Sequence, residues 1–483
     1  MKLQDLLNGI GVLESNAPMN MEITGVSYAS NTVRAGELFV AVPGFATDGH
    51  RYIPDAVLRG AAVVLCERDM PDDVPWVRVE SSREALALLG ANWYRHPSAS
   101  MQVIGVTGTN GKTSVTYLLK TLLETALGAK VGLIGTICNL IGDQTLETER
   151  TTPESFALQG LLAQMRDAGC THVVMEVSSH ALALHRVDGI RFTVGAFTNL
   201  TEDHLDFHKT MEEYRKAKAM LFHCCEKGVF NLDDPCARRM MEEATCECHT
   251  VGTASAAELT AKDVFLGADH VEMEVCEGVA QTHLRLGIPG RFTVSNALVA
   301  LGIARQLGIA LSDAVSALET AKGVKGRIEV VPTPNRDFTV LIDYAHTPDG
   351  LENVLRSVRD FCKGRVILVF GCGGDRDRKK RPIMGGIAAK YADFAVVTSD
   401  NPRTEEPMTI IEDILQGMAG TKTPYIVEEN RRLAIRTALR EAKKDDIVLL
   451  AGKGHETYQI LGTKKTHLDE REEVAAALCE TEE

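Results

Sequence analysis

The sequence predicts an α/β protein of three domains. These are a smaller N-terminal α/β domain, a central doubly wound domain with a mostly parallel sheet and a P-loop, and a C-terminal Rossmann-like domain. Three observations carry that prediction. At 483 residues the chain is too long for one ordinary core. Short apolar runs alternate with stretches of helical periodicity, as in parallel sheets covered on both faces. A Gly-rich loop, Gly108-Thr-Asn-Gly111-Lys112-Thr113, stands directly after one such run and before a helical stretch.

Punctuation divides the chain. The first domain, residues 1–100, holds the strand-like runs Glu37–Val42 and Ala61–Leu65, then helical periodicity over Ser82–Tyr94. His96–Ser100 reads as a linker. The second, residues 101–326, opens with the strand Val103–Val106 and alternates strands such as His172–Val177 with helices such as Ser114–Leu127. The third, residues 327–483, has strands at Phe338–Ile342, Val366–Phe370, Phe394–Val397 and Asp446–Leu450, separated by helical segments. Three such modules with clefts between them suit an enzyme that assembles three substrates.

A net charge of -14 without a Lys/Arg block argues against a nucleic-acid-coating surface, so any phosphate site is local. The residues from Met1 to Ser15 lack a signal-peptide core, and no apolar stretch approaches the ~18 residues needed to span a bilayer. The closest cysteines, Cys224-Cys225 and Cys246-Glu247-Cys248, do not have the paired spacing of a zinc site. Reduced thiols in a cytoplasmic protein are expected.

The phosphate loop is the strongest local signal. Its glycines let successive backbone N–H groups face phosphates, and the following helix adds its positive end. Lys112 is expected on the β- and γ-phosphates and the Thr113 hydroxyl on Mg²⁺. The strict pattern needs Gly at 106, where Val106 stands, so the loop is a variant. A second cluster, Gly371-Cys-Gly373-Gly374-Asp375-Arg376, fails as a dinucleotide fingerprint because Arg376 replaces the last glycine. It reads as a tight turn at the carboxyl end of a strand, where ligand crevices form.

Glu176 ends a buried strand and is well placed for Mg²⁺. The Ser178-Ser179-His180 run after it has no nucleophile elbow, which weighs against a hydrolase. His204 and His208 are four positions apart (208 − 204), but the zincin motif needs Glu where Leu205 stands. A magnesium site using His204 is favoured over helix capping by Asp203 and ordinary surface histidines. Lys218, among helically spaced Tyr214, Leu221 and Phe222, reads from its own segment as a solvated helix lysine. A GTPase-type switch would want N-K-x-D, and no Asn here is followed by Lys.

Together these motifs resemble the Mur ligases, in the branch of the UDP-N-acetylmuramoyl tripeptide synthetases, over essentially the whole chain. The resemblance rests on Gly25–Asn31 with Gly36–Ala41, Gly108–Thr113, Thr151-Thr152-Pro153, Glu176–His180 and Asn199–His208. It continues in Asp343–Asp349, Gly371–Arg376, Asp400–Arg403 and Gly452–Glu456.

The resemblance implies an ATP-dependent ligase that adds meso-2,6-diaminopimelate to UDP-N-acetylmuramoyl-L-alanyl-D-glutamate, with Mg²⁺ as cofactor and no nucleic-acid or membrane partner. A monomer is expected. UDP-muramyl contacts are implied at Ser30, Phe45, Ala46, Thr47, Thr151, Thr152, Ser178 and Arg186. ATP contacts are implied at Gly108, Thr109, Asn110, Gly111, Lys112, Thr113, Ser114, Asn296 and Arg327. Glu176, His204 and Lys218, the last as a carbamate, join Thr113 as metal ligands. Diaminopimelate is expected at Arg376, Asp400, Asn401, Pro402, Arg403, Gly452 and Glu456. The family commonly has Arg at the position of Asn31 and often Gln at that of Leu184, so those two substrate contacts depart from its pattern.

Overall fold

A computed structural model describes residues 1–480 except 45, 46, 72, 149 and 255. The implied contacts at Phe45 and Ala46 therefore lie outside the described residues. The chain forms two compact units, residues 1–251 with 302–309, and residues 252–301 with 310–483.

The first unit contains two sheets. The N-terminal one runs Val12–Ser15, Trp76–Val79, Val63–Cys66, Leu38–Val40 and Val26–Ser27 in spatial order. It is parallel except for Val12–Ser15. The helix Ser82–Trp93 packs Leu86 and Leu89 into its core. Ser81 starts that helix by accepting from Glu84 N at 3.2 Å, a cap that contributes about 1 kcal/mol. The segment read as a linker includes a 3-10 turn, Pro97–Ser100, where Ser98 Oγ accepts from Arg191 N at 3.2 Å.

The larger sheet of this unit places Gln102–Thr107 between Phe192–Phe197 and His172–Glu176, all parallel. Cys225–Asn231 and Glu247–Gly252 extend the parallel order on one side, and Val131–Ile134 on the other. Asn139–Ile141 and Gln144–Leu146 then add antiparallel strands. The central strands are almost wholly buried, which explains their continuous apolar runs.

In the second unit, Leu259–Leu266, Val271–Glu277 and Ala280–Leu286 form an antiparallel meander. A purely alternating strand–helix reading does not anticipate it. Polar residues intersperse these strands because one face is only partly covered, as in the alternation of buried and half-buried positions along Val271–Glu277.

The remaining sheet has the order Glu329–Val331, Thr339–Asp343, Ile447–Ala451, Val366–Phe370, Phe394–Val397 and Tyr425–Val427. Only Glu329–Val331 is antiparallel. Its two faces carry separate cores, one around Leu355, Met384 and Ile411, the other around Ile435, Ala438 and Val474. That is the doubly wound arrangement expected, with loops gathered at the carboxyl edge.

Candidate active site

The strand Gln102–Thr107 delivers Gly108 where no side chain fits, since a Cβ there would lie 1.9 Å from Thr198 Oγ1. Gly111, at φ 85°, turns the chain into the helix Lys112–Leu127, whose first N–H groups have no intrahelical partner. The loop is braced from the next strand's exit. Asn199 O accepts from Thr109 N at 2.8 Å, and Asn199 Oδ1 accepts from Asn110 N at 3.0 Å. Thr198 Oγ1 donates to Asn110 O at 2.6 Å. Lys112 Nζ folds back onto Gly108 O and Thr109 O, both at 2.8 Å. Ser114 follows in the first turn of the helix.

Glu176 ends its strand beside this loop. Its Oε1 accepts from Thr113 Oγ1 at 2.9 Å and from Thr136 N at 2.9 Å, and its Oε2 accepts from Thr136 Oγ1 at 3.0 Å. Thr136 also contacts Thr151, Oγ1 to Oγ1 at 3.0 Å. Sequence reasoning missed Thr136, which follows the strand Val131–Ile134 without a motif of its own. Thr152 Oγ1 donates to Glu176 O at 2.8 Å and accepts from Ser178 N at 3.2 Å. Arg186 Nη1 donates to Thr152 O at 3.3 Å, and its Nε lies 3.4 Å from Glu154 Oε2. Glu154, Ser30, Asn31 and Thr47 line a cavity of about 510 Å³ in the same unit. Leu184, the other departure from the family pattern, is half-buried just after the helix Ser179–Ala183.

Lys218 is not the solvated lysine its own segment suggests. It lies on the helix Met211–Ala219 at 1% exposure, with Nζ donating to Gly108 O at 2.8 Å and 4.5 Å from the Tyr214 ring centroid. Burial, reinforced by the charge of Lys112, lowers its pKa well below that of an ordinary lysine. Tyr214, also missed as a site residue, contacts Thr109 Oγ1 through its hydroxyl at 3.2 Å.

The two histidines do not share a helix face. His204 precedes the helix Leu205–His208 in the left-handed region, at φ 54°, and Asp203 Oδ1 accepts from His204 N without capping that helix. His204 is half exposed, its ring 4.9 Å from that of His180. His208 is buried, Nε2 to Ser179 Oγ at 2.9 Å.

The second unit holds the other expected residues. Asn296 is buried on the helix Arg291–Gln306. Arg327 lies over the Tyr344 ring, its Cζ 5.4 Å from the centroid. Asp343 accepts from Ile328 N and Ala345 N, each at 2.8 Å, and burial raises its pKa.

Three loops leave the carboxyl edge of this sheet together. Gly452, at φ 115°, admits no side chain, because a Cβ would meet Asp400 Oδ2 at 2.7 Å. Asn401 Nδ2 donates to Glu456 Oε2 at 2.9 Å, and Asn401 Oδ1 accepts from Ile460 N at 2.9 Å. Arg403, at φ 54°, donates from Nη1 to Gly374 O at 2.7 Å. A Cβ on Gly374 would strike Pro402 O at 1.8 Å. Arg376 is exposed beside them, donating to Asp375 O. Lys453, overlooked in the sequence, is fully buried beneath this group.

The Mur ligase middle domain matches residues 106–304 and the Mur ligase glutamate ligase domain residues 326–454. A third model, the Mur ligase family catalytic domain, matches residues 22–94. The chain is a member of the Mur ligase family. The UDP-N-acetylmuramoyl-L-alanyl-D-glutamate--2,6-diaminopimelate ligase of Caldanaerobacter subterraneus subsp. tengcongensis is 48% identical to this Mur ligase, covering 100% of both chains. That of Clostridium acetobutylicum, designated ligase 1, is 46% identical over 99% of this chain and 100% of its own. A solved UDP-N-acetylmuramoyl-L-alanyl-D-glutamate--2,6-diaminopimelate ligase structure superposes with a TM-score of 0.76 at 30% identity, covering 100% of this chain and 99% of that one. Among the described residues of this Mur ligase, no helix is long and apolar enough to cross a membrane.

Proposed function

We propose that this Mur ligase uses ATP to join meso-2,6-diaminopimelate to UDP-N-acetylmuramoyl-L-alanyl-D-glutamate, making a peptidoglycan precursor in the cytoplasm. One observation carries the chemistry: the phosphate loop sets Thr113 Oγ1 on the Glu176 carboxylate while the buried Lys218 Nζ holds the carbonyl of Gly108. Full-length identity with diaminopimelate ligases supports the substrates. We assign residues 1–100 to UDP-muramyl binding, 101–326 to ATP and 327–483 to the amino acid.

A carboxylate has no leaving group, so the D-glutamate side-chain carboxylate first takes the γ-phosphoryl group of ATP, giving an acyl phosphate and ADP. The amine of diaminopimelate then attacks the acyl carbon, phosphate departs, and the amine proton goes to solvent. Lys112 leaves its loop carbonyls to bind the β- and γ-phosphates, and the N–H groups of Gly108 to Ser114 cradle them. Thr151, Thr152, Ser178 and Arg186 orient the acceptor peptide, and Ser30, Thr47 and the adjoining Phe45-Ala46 segment hold the UDP end. Asn296 and Arg327 contact the nucleotide.

Thr113, Glu176, His204 and a carbamylated Lys218 would hold Mg²⁺, which would supply charge neutralisation for two approaching anions. The donors fit. Thr113 and Glu176 offer hard oxygens side by side, the donor type that Mg²⁺ takes beside water and phosphate ligands. The depressed pKa of Lys218 leaves the neutral amine that adds CO₂.

Diaminopimelate is read by Arg376, Asp400, Asn401, Pro402, Arg403, Gly452 and Glu456. Phosphate release is expected only when ATP, Mg²⁺, the UDP-dipeptide and diaminopimelate are all present. Lys112→Ala should lower turnover on the order of a thousandfold, with an unchanged circular dichroism spectrum. Near-normal turnover in that variant would overturn the assignment.

A further inference from the structure

The two close cysteine pairs in the sequence converge in the fold, away from the phosphate loop. Cys225 opens the strand Cys225–Asn231, and Cys246 immediately precedes the parallel strand Glu247–Gly252, with Lys227 opposite Glu247. Gly195 and Gly228 are register partners on adjacent strands. A Cβ on Gly195 would lie 2.9 Å from Cys225 Sγ, and a Cβ on Gly228 would lie 2.9 Å from Cys246 Sγ. The two sulfurs therefore fill neighbouring hollows that the glycine pair leaves in the sheet.

The environment differentiates the two thiols. The neighbouring Cys225 thiol holds the pKa of Cys246 down at about 7, whereas Cys246 and burial raise that of Cys225. Burial raises Cys66, Cys170, Cys362 and Cys372. Both members of the pair are partly accessible. A nucleophilic thiolate beside a second thiol is the arrangement that exchanges with disulfides.

We propose that Cys225 and Cys246 form a reactive dithiol, a modification site that takes low-molecular-weight disulfides and closes reversibly to an intrachain disulfide. Cys246 Sγ attacks one sulfur of the small disulfide, breaking its S–S bond and releasing one small thiolate. Cys225 then loses its proton to solvent and attacks Cys246 Sγ, expelling the second small thiolate. Two protein thiols are oxidised, one small disulfide is reduced to two thiols, and the two protons end on the released sulfurs.

The test treats the full chain with oxidised glutathione and maps its peptides by mass spectrometry. The expected product is a Cys225–Cys246 cross-link lacking two hydrogens, reversed by dithiothreitol and formed faster as pH rises through about 7. Cys225→Ser should stop at a glutathione adduct on Cys246, while Cys248→Ser should still form the cross-link. A wild-type disulfide between Cys246 and Cys248 would overturn the proposal. So would labelling confined to the exposed Cys224 and Cys479, or a Cys225→Ser chain whose Cys246 stays unmodified.

Discussion

The ammonium of Lys453, shut off from solvent, donates to Glu456 Oε2 at 2.9 Å. The same Nζ reaches Asn401 Oδ1 at 3.2 Å, so one buried cation fixes two residues proposed to read the incoming amino acid. Removing it would leave Glu456 without its charge partner. Lys453→Met should cost about 3–5 kcal/mol of stability and raise the KM for diaminopimelate more than that for ATP. Urea titration and initial rates measure both. A loss of stability with both KM values unchanged would mean that Lys453 serves the fold alone.

Lys218→Ala should be nearly inactive, because the oxygen ligand that a carbamate offers disappears. Short carboxylic acids should restore part of the rate, since they place a carboxylate in the space vacated. Stripping CO₂ from the buffer should slow the parent enzyme and leave the variant unaffected. Wild-type activity in Lys218→Ala would rule the carbamate out.

His208 gives a pH dependence. Burial first, and the neighbouring His180 second, hold its pKa down at about 4, against about 6.5 in an unfolded chain. The unfolded state therefore binds the extra proton between those values. The stability that His208 contributes is intact above pH 6.5 and is lost as pH falls toward 4. His208→Gln, which retains a polar group near Ser179, should flatten the slope of unfolding free energy over that window. An identical slope in parent and variant would assign the acid sensitivity elsewhere.

Arg403 should set the preference for diaminopimelate over L-lysine. Its tie to Gly374 O holds Nη1 and leaves the rest of the guanidinium to receive a carboxylate. Lysine has no distal carboxylate, and an unpaired buried charge costs about 2–5 kcal/mol, a roughly thirty- to several-thousand-fold preference. The ratio of kcat/KM for the two amino acids measures this. An Arg403→Ala variant with the parent's ratio would remove the residue from the specificity argument.

What was legible in the sequence was local. Gly108 to Ser114 carries its chemistry within one turn of chain, and Glu176 declares itself by ending an apolar run. Thr136 does not, because it reaches Glu176 only through the parallel pairing of Val131–Ile134 with His172–Glu176. Lys218 reads from its own segment as an ordinary lysine and Lys453 draws no notice at all, because only tertiary packing buries them. The meander from Leu259 to Leu286 escaped notice because its strands are only half covered, leaving no continuous apolar run. The family's ordered motifs, by contrast, are spread over all three expected domains, which is why membership was legible before any geometry.

The Glu176 carboxylate is anchored by three donors of its own protein, the Thr113 and Thr136 hydroxyls and the Thr136 N–H, and its two oxygens keep a lone pair to offer. To offer a lone pair to a cation, the Thr113 hydroxyl would turn about its Cβ–Oγ1 bond and give up the hydrogen bond it donates to Glu176. Thr136 would keep both of its hydrogen bonds to Glu176 through that turn, so the carboxylate would stay aimed while the hydroxyl changes its role.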